Sequence, residues 1–178
     1  MRALKIIVGA MLVVGGICAG LAGAPAHAQV IAFGASNVAG RGVSANEAFP
    51  AQLEVMLRDK GYSASVVNAG VSGDGTQQML ARFDSAIPLS ARVVILDVGG
   101  GLWNNARLHV DPAQGAADIA LMKAKLIARH IKIIDLHSNR DMPLQYIQPD
   151  HIHLTPDGHR LLASRLLPSV MRALGPPQ

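Results

Sequence analysis

Four short apolar, β-branched runs, separated by segments of helical pattern, constrain this chain more than any other feature. The runs are Val30 to Gly34, Ser65 to Ala69, Arg92 to Val98 and Ile131 to Leu136. They show little polar alternation, as strands buried on both faces must. Between them the spacing predicts helices. Ala48 to Lys60 sets Phe49, Leu53, Val55, Met56 and Leu57 near one face, with Pro50 in the first turn and Gly61 just past the end. Residues 75–85 give a second, weaker helix around Met79, Leu80 and Phe83. Asp111-Pro112-Ala113-Gln114 reads as an N-cap, a proline at the first helical position and a reciprocal glutamine, opening a helix to about His130. Thr155-Pro156 opens the last helix, whose Leu161, Leu162, Leu166 and Leu167 face inward; Pro168 is expected to kink or divide it. Strands alternating with helices imply an α/β fold with a parallel sheet covered on both faces. In such sheets, functional groups gather beyond the carboxyl ends of the strands. The polar stretches Gly34 to Asn37, Gly70 to Thr76 and Gly99 to Asn105 fall there.

The first 28 residues have a different character. Arg2 and Lys5 precede an uncharged run that closes on Ala26-His27-Ala28. A positive start, an apolar stretch and small residues at the A-x-A positions predict a secretory signal peptide cleaved after Ala28. The run is about long enough to span a bilayer, which makes a retained anchor the competing reading. Its Gly and Ala content, Pro25 and the A-H-A site favour cleavage. The expected organisation is a leader over 1–28 and one domain over 29–178, exported to a periplasm or outside the cell, with no stable membrane anchor after cleavage. The whole chain of 178 residues suits one domain. Its formal net charge of +4 rests partly on Arg2 and Lys5, and the remaining Lys and Arg are scattered singly. No basic cluster therefore points to a nucleic-acid partner. The one cysteine, Cys18, also lies in the leader, which excludes a thiol nucleophile or thiolate metal site in the mature domain.

Three sets of residues bear chemistry. Ser36 follows the first strand, where a serine either caps a turn or is exposed as a nucleophile awaiting a base. Asp150 and His153 stand three apart before the last helix, so one turn of chain can place the carboxylate on one imidazole nitrogen and a serine on the other. His151 and His153 with Asp150 also form an H-x-H group, but His109, His130, His137 and His159 supply no further ligand at a diagnostic spacing. No metal or other cofactor is expected. Gly70-Val71-Ser72-Gly73-Asp74-Gly75 is not a dinucleotide fingerprint. Its backbone is suited to aiming N–H groups at a developing oxyanion.

Taken together, these segments resemble the SGNH hydrolases, the GDSL esterase/lipase family. IAFGASNVAGRGVSANEAFPAQLE looks like the first block of that family and VVNAGVSGDGTQQMLARF like the second; VVILDVGG begins the third, and QPDHIHLTPDGHRLLASRLLP looks like the last. The resemblance implies a three-layer α/β/α sandwich, flavodoxin-like, and a serine-dependent carboxylic ester hydrolase acting on small-molecule esters or thioesters. It implies Ser36 as nucleophile, His153 as base, Asp150 as the residue orienting it, and an oxyanion hole involving the amides of Ser36 and Gly73. Ala35 stands where the family name has Asp, at a position outside the triad. In the third block the family pattern Gly-Gly-Asn-Asp is replaced by Gly99-Gly100-Gly101-Leu102-Trp103-Asn104-Asn105. Either Gly101 replaces the oxyanion asparagine, or three residues are inserted and Asn104 takes its role; the insertion is favoured. Only residues 138–149 lie between His137 and Asp150, where full-length relatives place a further helix and a fifth strand. That implies a shortened fold with four main strands, at most a rudimentary fifth near Leu144 to Ile147, and an open acyl site suited to short chains. A degenerate, non-catalytic member that binds an acylated glycan or a protein is the competing reading.

Overall fold

The computed structural model describes residues 28–177. The leader expected over 1–28 lies outside the described residues, apart from Ala28, which begins the first strand. Strands β1 (Ala28–Gly34), β2 (Ala64–Gly70), β3 (Ala91–Asp97) and β4 (Lys132–Leu136) form one parallel sheet in the order β2-β1-β3-β4. The helices are α1 (Ser36–Ala39), α2 (Phe49–Asp59), α3 (Thr76–Ala81), α4 (Phe83–Ala86), α5 (Val98–Arg107), α6 (Pro112–Ala128) and α7 (Pro156–Leu174).

Strand periodicity divides the core in two. Val30 and Ala32 of β1, with Val93 and Ile95 of β3, join Leu53 and Leu57 of α2 and Leu162 and Leu166 of α7. Ile31, Phe33, Val94 and Leu96 point the other way, onto Met79 of α3, Phe83 of α4, and Met122 and Leu126 of α6. Both faces of the central strands are thus covered, and the expected three-layer sandwich with four main strands is the fold observed. Thr155 caps α7 by accepting from the Gly158 N–H, as its position before Pro156 predicts.

Local structure refines or corrects expectation at five places. Val55 is exposed, because only Phe49, Leu53 and Leu57 of α2 face the sheet squarely. The helix expected over 75–85 is divided at Arg82, which ends α3 and precedes α4. Asp111 caps α6, but Gln114 does not reciprocate; its amide turns to the buried Asp118 carboxylate, 2.7 Å away, which needs a donor more. Pro168 does not divide α7, since Leu162, Leu166, Val170 and Leu174 bury the helix on either side of it and outweigh the missing hydrogen bond. Finally, the polar stretch Gly99 to Asn105, for which no helix was expected, is the body of α5. That helix starts directly after β3 at Val98, the residue expected to end the strand, with Asp97 as its cap. The rudimentary fifth strand is reduced to a 3-10 turn, Leu144–Tyr146, and a single antiparallel bridge between Ile147 and Leu154.

Candidate active site

β1 is central in the sheet, with β2 on one side and β3 on the other, so the chain reverses its direction of winding at its carboxyl end. Ligand crevices form at such a point, and Ser36 stands there, two residues past the end of β1. Ala35 adopts φ −101° and ψ −140°, which turns the chain out of the strand, and Ser36 then starts α1. One turn later Gly40 closes the helix in the left-handed region. Ser36 is half-buried, so its hydroxyl is fixed yet reachable.

The 150–154 segment comes to this serine through Asn37. The Asn37 amide donates to the Ile152 carbonyl at 3.2 Å, and its oxygen accepts from the Leu154 N–H at 3.1 Å. Both neighbours of His153 are thereby clipped to the residue that follows Ser36. His153 Nε2 lies 2.9 Å from Ser36 Oγ, and its Nδ1 lies 2.5 Å from Asp150 Oδ2. Asp150 Oδ1 accepts the amides of Ile152 and His153, each at 3.0 Å. Hydrogen bonds from the His153 ring, and then from these two amides, hold the Asp150 carboxyl well below the usual carboxylate range. The three side chains that sequence spacing nominated therefore stand in one hydrogen-bonded line. His151, by contrast, sits exposed in a left-handed turn. Both nitrogens of His153 are engaged, and among the described residues no three His, Cys, Asp or Glu side chains gather as metal ligands.

The glycine loop after β2 forms a second side of the crevice. Gly70 packs so closely on α1 that a Cβ would overlap the backbone of Val38 and Ala39. The Val71 N–H donates to the Gly34 carbonyl at 3.1 Å, tying this loop to the end of β1. Gly73 is exposed with φ +92°, a conformation natural to glycine. Asn104, buried in α5, directs its amide to the Asp74 carbonyl at 2.8 Å and so holds the residue beside Gly73. Gly101, one turn earlier on the same side of α5, packs on α3, where a Cβ would press on Met79 Sδ at 2.8 Å.

Two residues that sequence reasoning passed over complete the frame. Arg82 donates from Nε to Asp74 Oδ2 at 2.6 Å, from Nη1 to the Ala69 carbonyl and from Nη2 to the Gly34 carbonyl, both at 2.8 Å, while its guanidinium lies 4.3 Å above the Phe33 ring centroid. It binds the ends of β1 and β2 to the glycine loop. Its interruption of a helical pattern was the available signal. Asp97, fully buried, accepts from the Ser138 hydroxyl at 3.1 Å and more distantly from the amides of Ser138 and Gly100. Burial pushes its carboxyl up. Its position in an otherwise apolar strand marked it.

The GDSL-like Lipase/Acylhydrolase family matches residues 32–146, a span that includes Ser36, Gly73 and Asn104 and stops short of Asp150 and His153. The chain is similar to Esterase TesA of Pseudomonas aeruginosa, with 31% identity over 106 residues, covering 59% of this chain and 51% of that protein. The chain thus spans about half the length of the curated relative it matches. Among solved structures, a crystal structure of TesA superposes with TM-score 0.70 at 22% identity, covering 82% of this chain and 99% of that one. The SGNH-hydrolase family esterase AlinE4 superposes with TM-score 0.59 at 28% identity, covering 84% and 97%.

Proposed function

Because the chain belongs to the GDSL-like lipase/acylhydrolase family, we propose that it is an exported serine esterase that cleaves small-molecule carboxylic esters or thioesters with Ser36, His153 and Asp150. The observation that carries this reading is the Ser36 Oγ to His153 Nε2 contact of 2.9 Å, backed by the Nδ1 contact to Asp150. His153 takes the Ser36 proton as Oγ attacks the ester carbonyl, and the Asp150 carboxylate stabilises the imidazolium that forms. The amides of Ser36 and Gly73 receive the oxyanion, and Asn104 supplies the third donor with the N–H it does not give to Asp74. His153 returns the proton to the leaving alcohol or thiol, and water releases the acyl group by the same steps in reverse roles.

Cleavage after Ala28 would leave Gln29 at the start of β1, with the rest of the strand intact. Amino-terminal sequencing of the exported protein tests this. The catalytic reading is tested by a fluorophosphonate probe with and without chelator. Labelling that is lost in Ser36→Ala and indifferent to chelator is the expected result. Absence of labelling in a folded protein that still binds ligand would overturn the reading in favour of a non-catalytic binder.

A further inference from the structure

An open cleft of about 610 Å³ runs beside the crevice, between α5 and residues 137–140. Leu102, Trp103 and Ala106 give it an apolar floor, and Arg107, His137 and Arg140 stand around it. Its place relative to Ser36 is fixed from both sides. Gly99 lines it, and a Cβ on the next residue, Gly100, would lie 3.0 Å from that of Ala35, the neighbour of Ser36. On the other wall, Asn139 Nδ2 lies 3.5 Å from the carbonyl of Ile152, the neighbour of His153.

Two features of the cleft call for an occupant. Trp103 leaves 60% of its surface exposed and Leu102 leaves 41%, an apolar surface that water covers poorly. Arg107 and Arg140 form no ion pair with any carboxylate among the described residues. Asp97, next to Gly99 at the cleft's edge, is buried and engaged with Ser138. Apolar contact flanked by two unpaired guanidiniums is complementary to a short apolar group that carries an anion.

We propose that this cleft receives the acyl part of the substrate and selects esters whose acyl chain is a short apolar segment ending in an anionic group, as in half-esters of dicarboxylic acids. The proposal relies on the esterase reading only for the position of the scissile carbonyl. Trp103 and Leu102 take the methylene segment, and Arg107 and Arg140 take the terminal carboxylate.

The test compares p-nitrophenyl pentanoate with the p-nitrophenyl half-ester of glutaric acid, which has the same chain length and one more charge. The wild-type protein is expected to favour the anionic ester by about three- to tenfold in kcat/KM at low salt, as two partly exposed charge contacts allow. That ratio falls to about one in Arg107→Gln/Arg140→Gln and returns in Arg107→Lys/Arg140→Lys. No preference in the wild type, or a preference that survives the glutamine pair, overturns the proposal. A second arm reads binding without turnover. 8-Anilinonaphthalene-1-sulfonate is compared with its neutral relative N-phenyl-1-naphthylamine on wild type and on the glutamine pair. Tighter binding of the sulfonate that the glutamine pair removes supports an anion-selective cleft even if no ester is hydrolysed and the fluorophosphonate does not label. That combination would reject the esterase reading alone. Equal binding of the two dyes, or a sulfonate advantage kept by the glutamine pair, overturns the cleft.

Discussion

Arg82 ends α3 with its guanidinium divided among a carboxylate and two strand-end carbonyls, one of them two residues before Ser36. No other planar cation has the fork to hold all three. Arg82→Gln is expected to lower stability by about 2 to 4 kcal/mol, because it leaves a largely buried Asp74 carboxylate without its cation and removes two hydrogen bonds from strand-end carbonyls. It should also lower kcat more than it raises KM, since the glycine loop and the nucleophile lose their common tie. Arg82→Lys restores charge but not geometry and should recover stability better than kcat. Denaturant unfolding and steady-state kinetics measure the two effects. His159 makes a different prediction. It is fully buried, accepts from the Phe49 N–H at 3.3 Å and leaves Nε2 without a partner among the described residues. Burial first, and the nearby His153 second, push its pKa down from 6.5 to about 4. Between those values the unfolded chain binds a proton that the folded chain refuses. Stability is therefore full above about pH 6.5 and declines as pH falls towards 4, by at most about 3 kcal/mol. The depressed Asp150 carboxyl adds its own loss only below its ordinary value of 3.8. Urea midpoints of wild type and His159→Gln from pH 7 to 4.5 check this, the variant showing the flatter profile.

At the scale of elements, α1 is a single turn whose position is set by neighbours rather than by its own hydrogen bonds. β2 abuts it at Gly70, where no side chain fits. Gly70→Ala is expected to destabilise by about 1 to 3 kcal/mol through overpacking, and to depress kcat because α1 carries Ser36. Thermal unfolding and ester hydrolysis measure the pair, and wild-type activity in this variant would contradict the placement of α1. α5 shows where local reading stopped. A run of three glycines has poor helix propensity, and the sequence pattern placed Val98 in the third strand and assigned no helix to Gly99 to Asn105. The helix forms because tertiary contacts supply what propensity lacks. Asn105 accepts from the Thr76 N–H and donates to its hydroxyl, Thr76 donates to the buried Asp118, and Gly101 lets α5 approach Met79. These contacts join α3, α5 and α6, and none is visible from any one segment.

For the whole molecule, the link from β4 to Asp150 holds, among the described residues, only a 3-10 turn and a single bridge in place of a further helix and strand. On the esterase reading proposed above, an acyl site so open gains little from each methylene added beyond its walls. Acetyl to butyryl esters are therefore expected to be hydrolysed faster than palmitoyl esters, as a chain-length series of p-nitrophenyl esters will show. Faster turnover of the long chain would contradict an open site.

The amino-acid sequence by itself determined the α/β class, the four strands and the order of the blocks. For the two central strands it did so because strands buried on both faces need unbroken apolar runs, and such runs are local. The edge strands β2 and β4 were expected to be buried in the same way but bury only Val66 and Leu136, since each has a neighbour on one side only. It also nominated Ser36, Asp150 and His153, since each stands beside a strand end or a helix start that the pattern announces. Tertiary structure alone decided how they meet. Ser36 and His153 are 117 residues apart and are joined by Asn37, whose two hydrogen bonds exist only when α1 and the 150–154 segment are packed together. The same is true of Arg82, which looked like one residue in a weak helix. Three acceptors drawn from two strands and a loop make it the tie of the site, and acceptors gathered from distant parts of a chain leave no mark on local spacing.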